Sequence, residues 1–315
     1  MGIAGWIEGG LAWIGARARW LLAIGVLVAF VMPALSAVFR PWLGVFVALV
    51  FCVAVLRIDL ATLGHRLMRP RHLAVLCLWS VGLMAVTPAV LWGLGQGLGL
   101  PEPHLAALVY TGVAPPITSA AALCLLIGLD AVFALELTLV ATVLTPLIGP
   151  PVAAALLGEA APIAPLDLAS RVAGLILAGG AAALVLRRVM GAERIARKST
   201  ALDGVSAIAM WLVVIAVLDG ASALVLARPV EALGVLVLAL GVNFGLQLVV
   251  GCGLARAMPG RAGAAGLAWG NRTVALYLAA LPFEPVFALY VAVYQIPMLF
   301  TPLLTGPILR RRVRE

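Results

Sequence analysis

The sequence predicts an all-α integral membrane protein of about ten transmembrane helices, built as two inverted five-helix repeats. Three observations predict it. The chain is 64% hydrophobic and only 11% charged, with a mean hydropathy of +1.16, whereas a soluble domain carries roughly a quarter charged residues. Its apolar runs are near 20 residues long and lack the period-two alternation of barrel strands, so the spans are helices. A proline- and glycine-marked passage recurs about half a chain later.

Taken in order, residues 1–19 set Ile3, Trp6, Ile7, Trp13 and Ile14 among glycines ahead of Arg17 and Arg19, which suits an interfacial amino-terminal segment and equally a frayed start to the first span. The first five-helix repeat is expected over residues 20–157. Its spans are Trp20–Phe39, Pro41–Leu56, His72–Gly97, His104–Leu129 and Ala131–Leu157, each bounded by Pro, Gly or charge. The second is expected over residues 158–309, with spans Ala169–Leu186, Gly204–Ala227, Val230–Ala255, Ala262–Leu281 and Pro285–Leu309. Residues 310–315 form a basic cytoplasmic tail.

Lysine and arginine support this layout. Apart from Arg40, Arg171, Arg228 and Arg272, all of them fall in the segments that ten alternating spans place on the inner side. By the positive-inside rule the protein belongs in the cytoplasmic (inner) membrane with both termini cytoplasmic. The net charge of +8 is spread over short gaps and not along one amphipathic face, which argues for the lipid bilayer as partner and against nucleic acid. Cys52, Cys77, Cys124 and Cys252 all lie in apolar runs and read as small packing residues, without metal-site or disulfide spacing.

The repeat pairs the fifth and tenth spans. Val132-Phe133-Ala134-Leu135 recurs at Val286-Phe287-Ala288-Leu289, Thr145-Pro146-Leu147 at Thr301-Pro302-Leu303, and Gly149-Pro150 at Gly306-Pro307. An odd number of spans per half inverts one half relative to the other, which is a signature of transporters.

The span before each repeated passage is interrupted. In the fourth, Gly112-Val113-Ala114-Pro115-Pro116 should end the helix near Gly112 and restart it at Pro115 or Pro116, since proline suits a first turn and not a helix interior. In the ninth, Gly270 and Asn271 precede Arg272, which lies about eleven residues into the span, near mid-membrane. Unwound backbone at that depth is tolerated only where it lines a cavity or is buried in protein, and paired breaks point to a transport site. The candidate substrate-binding residues are therefore Pro115, Pro116, Thr118 and Ser119 at the first break and Gly270, Asn271, Arg272 and Thr273 at the second. Asn243 and Gln247, one turn apart in the eighth span, join them.

These residues carry a family resemblance. With Leu100-Pro101-Glu102, Gly112 and Pro115, the Thr138–Pro146 passage and Gly270-Asn271-Arg272, the chain resembles the bile acid:sodium symporter family and its bacterial relatives over nearly its whole length. The resemblance implies broken spans four and nine crossing in a core of spans three to five and eight to ten. It also implies a panel of spans one, two, six and seven moving against that core, and uptake of an organic anion with sodium. The sequence departs from the family at the sodium ligands. Ala120 and Ala121 stand where a Ser-Asn type pair is expected, and Ala134 where a hydroxyl is expected, although Thr138 survives. Leu83 replaces a glutamine, and Ala268-Trp269-Gly270-Asn271-Arg272-Thr273 replaces a Glu-x-Gly-x-Gln-Asn stretch.

Arg272 offers a substitute. A permanently charged guanidinium can stand in for the missing cation and suits a carboxylate. A plainer role is to cap carbonyls freed at the break. A charge at this depth marks a functional site by default.

Other polar residues fall into stripes. Thr138, Thr142 and Thr145 share one face of the fifth span, and Tyr290, Tyr294 and Thr301 one face of the tenth. They either face a substrate or tie helices together. Glu136 points about 200° away from Thr138, near enough to the inner end to reach the interface. Thr138 and Thr142 are the ion-coupling candidates, with Asp219, deep in the seventh span, as a proton relay. His65, His72 and His104 read as surface or interfacial residues.

The expected function is secondary active transport of a small organic anion by alternating access. Within the same fold, the missing sodium ligands favour a sodium-independent carrier or exchanger, proton-linked or uncoupled. Of another class is a non-transporting membrane receptor or scaffold. An arsenite exporter lacks its expected cysteine before the first break. An enzyme has no nucleophile–base set, phosphate loop or paired carboxylates to work with. No cofactor is expected.

Overall fold

The computed structural model describes residues 3–17, 21, 24–25, 28–29, 31–58 and 60–314. Trp20 and residues 22, 23, 26, 27 and 30 of the expected first span lie outside the described residues. So do residues 1, 2, 18 and 19 of the amino-terminal segment and Glu315 of the tail.

Among the described residues the regular structure is helical, and an isolated antiparallel bridge is the sole β feature. The chain begins with α1 (Ile3–Ala16), α2 (Pro33–Phe39), α3 (Leu43–Leu56) and α4 (Leu60–Leu67). Then follow α5 (Pro70–Val81), a π-helical turn (Gly82–Val86), α6 (Thr87–Gly97), α7 (Glu102–Val113), α8 (Ala120–Ile127) and α9 (Ala131–Leu157). Next come α10 (Pro165–Met190), α11 (Ala192–Arg197), α12 (Ser199–Val217) and α13 (Ala221–Ala227). The chain continues with α14 (Pro229–Gly253), α15 (Pro259–Gly270), α16 (Ala275–Ala280), α17 (Pro285–Leu304) and α18 (Gly306–Arg314).

Proline sets many of these starts. Pro33, Pro70, Pro229, Pro259 and Pro285 each stand in a helix's first turn, after a residue held out of the helical region. Proline loses nothing there, because its absent N–H would be unpaired anyway, and it disfavours helix in the residue before it. The sequence reading missed this at Pro33. It places a turn at Arg40–Pro41, but Arg40–Trp42 is a tight 3₁₀ turn inside one apolar stretch, Pro33–Leu56. The break falls at Met32 (φ −124°, ψ 68°). The seventh span, expected to be continuous over Gly204–Ala227, stops at Val217 and resumes at Ala221, with Gly220 at φ +72°.

Among the described residues, six helical stretches are long and apolar enough to cross a membrane: Pro33–Leu56, Pro70–Gly97, Ala131–Ala160, Pro165–Met190, Ser199–Val217 and Pro229–Gly253. They present large apolar side chains outward, among them Leu78, Val143, Leu147, Leu177, Val237 and Val249. Leucines and valines displayed along whole helices need lipid as their solvent. The protein is an α-helical, membrane-embedded protein.

The chain divides into two compact units. The first comprises Met1–Leu60 and Ala173–Ala227, the second Ala61–Val172 and Arg228–Glu315. In the first unit, α1, expected as an interfacial segment, packs along α12. Gly204 lets the backbone of Leu11 approach, and the Lys198 ammonium meets Glu8 at 2.6 Å. In the second unit, Leu76, Leu83, Met84, Phe133, Leu137 and Leu267 form the core between α5, the π-helical turn, α9 and α15. There α14 and α15 approach through Gly266, where an added Cβ would lie 2.5 Å from the Gln247 carbonyl oxygen and 2.8 Å from the Gly251 Cα.

α9 and α17 begin alike. Asp130 accepts from the Phe133 amide at 2.9 Å, and Glu284 accepts from the Val286 and Phe287 amides at 3.1 and 2.5 Å. Each carboxylate caps the helix that carries a Val-Phe-Ala-Leu passage, a cap of about 1 kcal/mol.

Candidate functional site

The second unit holds both breaks. α7 ends at Val113, and Ala114 is extended (φ −69°, ψ 144°). Helix resumes only at Ala120, not at Pro115 or Pro116 as the sequence suggests. The reason is local. Pro115 and Pro116 each push the preceding residue toward extended backbone, so Ala114 to Pro116 run straight where one proline at a helix start would have turned. The second break is shorter. α15 ends at Gly270, Asn271 is extended (φ −101°, ψ 101°), and α16 starts at Ala275.

The two breaks lie against each other. Pro116 and Arg272 form an antiparallel bridge. The Ile117 amide donates to the Asn271 carbonyl at 2.9 Å, and the Thr273 amide to the Pro115 carbonyl at 2.8 Å. The Thr273 hydroxyl donates to the Pro116 carbonyl at 3.1 Å. Each break thus satisfies backbone groups that the other has freed, which buried backbone requires. Gly112 permits the approach of α6: a Cβ there would lie 2.7 Å from the Pro88 nitrogen.

Arg272 sits at this crossing with 1% of its surface exposed. Its Nε donates to the Trp269 carbonyl at 2.6 Å and its Nη1 to the Ala114 carbonyl at 2.8 Å. Longer contacts reach the Gly112 carbonyl from Nη1 (3.5 Å) and the Leu83 carbonyl from Nη2 (3.4 Å). Gly112, Ala114 and Trp269 supply oxygens at the carboxyl ends of α7 and α15, where helix dipoles favour a cation. Leu83 lies in the π-helical turn, a form that leaves carbonyls irregular and concentrates at functional sites. The guanidinium also lies 5.9 Å from the Trp269 ring centre. Among the described residues no carboxylate pairs with it. Hydrogen bonds from a charged donor contribute about 1.5–3 kcal/mol each, so a carbonyl cage can offset much of the cost of burial.

A second polar cluster ties α14, α15 and α17 together. Asn243 donates to the Gly270 carbonyl at 2.5 Å, and Tyr294 donates to the same oxygen at 2.5 Å. Gln247 donates to Asn243 Oδ1 (2.7 Å) and to the Thr301 hydroxyl (3.0 Å), and accepts from Thr305 at 2.5 Å. Asn271 donates to the Leu267 carbonyl at 3.0 Å. Asn243, Gln247, Asn271 and Thr301 are wholly buried. The sequence flagged Asn243, Gln247, Tyr294 and Thr301 but missed Thr305, one turn beyond Thr301 on the same face.

The remaining candidates are placed as follows. Thr118 is half-buried and Ser119 exposed, in the turn before α8. The Thr138, Thr142 and Thr145 hydroxyls each donate to the carbonyl four residues back, at 2.7, 2.6 and 2.8 Å. Asp219 belongs to the other unit. It stands in the turn between α12 and α13, 3.8 Å from Arg40, and not inside a span as expected.

Two further readings change. Glu136 is only 1% exposed, where the sequence reading lets it reach the interface. It binds Arg66 Nε at 2.5 Å and His72 Nε2 at 2.9 Å. His104, read as a surface residue, is buried at the start of α7. Glu136 is held by Arg66 and His72, which lie 70 and 64 residues away and which a span-by-span reading does not include.

The Arg272 guanidinium already lies among the carbonyls of the crossing. A second cation there would meet like charge at low dielectric. In comparisons with known proteins, no protein-family model matches the chain and no curated protein matches it significantly.

Proposed function

We propose that the protein is a sodium-independent secondary transporter of a small organic anion, working by alternating access on a ten-span inverted repeat. The observation that carries this reading is the carbonyl-caged Arg272 at the crossing of two broken helices. A carrier that moves an anion through lipid needs positive charge at its site. Here that charge is covalently part of the chain, where the bile acid:sodium symporters that it resembles bring it as a dissociable ion. Arg272 stands at a position where that family's stretch has glutamine, and one of its carbonyl partners, Leu83, replaces another.

Three observations support the repeat and the resemblance. The breaks of α7–α8 and α15–α16 precede the passages that recur. The acid caps Asp130 and Glu284 precede equivalent helices. The second unit contains the segments assigned to a transport core, and the first unit those assigned to a panel. The arginine-rich gaps support an inner-membrane location with both termini cytoplasmic. Because the Arg272 donors point at carbonyls, Arg272 acts on the anion through its field. The Thr118 and Ser119 hydroxyls and the Ala121 and Ala122 amides in the first turn of α8 are the groups available for direct contact.

The test is thermal stability of the purified protein against a panel of small mono- and dicarboxylates, in sodium and in potassium salts. The expected result is an anion-dependent rise that is indifferent to the cation and absent in Arg272→Gln, but kept in part by Arg272→Lys. A rise that requires both anion and sodium contradicts the proposal. Counterflow of the stabilising anion in proteoliposomes then tests transport itself.

A further inference from the structure

One end of the second unit gathers arginines from three separate segments. It lies where α9 begins, since Arg66 and His72 both reach Glu136 in its second turn. The Arg261 guanidinium, at the start of α15, lies 5.4 Å from the Phe133 ring centre in the first turn of α9. The α8–α9 turn joins this end, because Arg310 Nε of α18 comes within 3.9 Å of the Cβ position at Gly128. α18 is fixed there by Leu309, which is fully buried, against Gly251 at the end of α14. Around this point stand Arg69 and Arg71, then Arg256 in the α14–α15 turn, then Arg311, Arg312 and Arg314 along α18.

Little negative charge opposes them. Glu136 is buried and held by Arg66 and His72, and Asp130 caps the Phe133 amide. Arg69, Arg71, Arg256 and Arg310 are exposed, with no acidic partner among the described residues. Long apolar side chains border the charge. Met68 is 81% exposed beside Arg69, and Leu303, Leu304 and Ile308 are exposed just before Arg310. Exposed leucine and isoleucine running directly into arginine marks the depth at which acyl chains give way to headgroups.

We infer that this end is a binding site for anionic phospholipid headgroups, with α18 and the α4–α5 and α14–α15 turns as its arms. Arginine suits a phosphate because its donors form a fork that matches the oxygens. The apolar border favours a phosphate carried on acyl chains over a free one. Each arginine near an anionic surface adds attraction that salt screens. The inference does not depend on the transport reading, since it needs only a membrane-embedded chain.

The test is thermal unfolding of the full chain in neutral detergent, with added dioctanoyl phosphatidylglycerol, dioctanoyl phosphatidylcholine or inorganic phosphate. Phosphatidylglycerol is expected to raise the midpoint by about 3 °C or more, as binding to the folded state alone does, and 0.5 M salt to abolish the rise. The triple variant Arg311→Gln, Arg312→Gln, Arg314→Gln is expected to lose at least about half of it. Adding Arg69→Gln, Arg71→Gln and Arg256→Gln should remove the remainder. Arg69, Arg71 and Arg256 are exposed with no acidic partner among the described residues; the midpoints without lipid should stay within about 2 °C of wild type, and each variant is compared with its own lipid-free value. An equal rise with phosphatidylcholine, an equal rise with inorganic phosphate, or a rise undiminished in the six-residue variant each overturns the assignment. The second of these would identify a free anion as the ligand.

Discussion

Arg272 and Ala114 are 158 residues apart in the chain, yet the guanidinium Nη1 of one donates to the carbonyl of the other at 2.8 Å. That bond joins the break after α15 to the residue that follows α7. It places a permanent charge among the oxygens that the breaks release.

Removing that charge should damage the fold. Arg272→Ala leaves the Trp269 and Ala114 carbonyls without their donors and opens a cavity, at an expected cost of about 3–5 kcal/mol. Arg272→Lys keeps the charge and loses the fork, and should cost less. Denaturant or thermal unfolding in detergent orders the three proteins as wild type, Lys, Ala.

Asn243 and Gln247 should prove strongly coupled. Asn243→Ala withdraws a donor from the Gly270 carbonyl and an acceptor from Gln247, so about 1–3 kcal/mol should be lost. Gln247→Ala leaves Thr305 only its longer bond to the Thr301 carbonyl. Because each single change already disrupts the shared network, the double variant should be less destabilised than the sum, by about 0.5 kcal/mol or more. A double-mutant cycle of unfolding free energies checks this.

Gly112→Ala should cost about 1–3 kcal/mol, because its Cβ would enter the space held by Pro88. Gly93→Ala, in the neighbouring α6 with nothing near its Cβ position, should be neutral or slightly stabilising through helix propensity. Midpoints of the two variants, measured side by side, separate close approach from a general intolerance of alanine.

Glu136→Gln should free α4. The buried carboxylate holds Arg66 and His72 together, and glutamine of the same shape carries no charge for either. Hydrogen exchange over residues 60–72 is expected to quicken, while exchange in α14 and α15 is unchanged. Uniform loss of protection would assign Glu136 a global role.

Much of this was legible in the sequence, and the misses have physical causes. The Ala131–Leu157 helix was read to the residue, because Asp130 and Gly158 punctuate an unbroken apolar run. Both breaks were read from Pro115-Pro116 and Gly270-Asn271, whose backbone chemistry is local. Thr305 could have been found by extending the Thr301 face one turn. The Arg272 cage could not, because its acceptors are main-chain oxygens that every residue carries. The turn at Met32 was missed because Arg40 drew the boundary to charge, whereas Pro33 sets it through the backbone of the residue before. Glu136 was misplaced because its partners Arg66 and His72 lie in elements distant in sequence.

The central claim is that Arg272 occupies the place of a coupling cation, and the most direct test uses sodium alone. Thermal unfolding of wild type and Arg272→Gln would be recorded in potassium chloride and in sodium chloride at equal ionic strength. Wild type is expected to show the same midpoint in both salts, and Arg272→Gln to gain a sodium-specific rise as the emptied carbonyls accept the ion. A sodium-specific rise in wild type, or its absence in a folded Arg272→Gln, would contradict the claim.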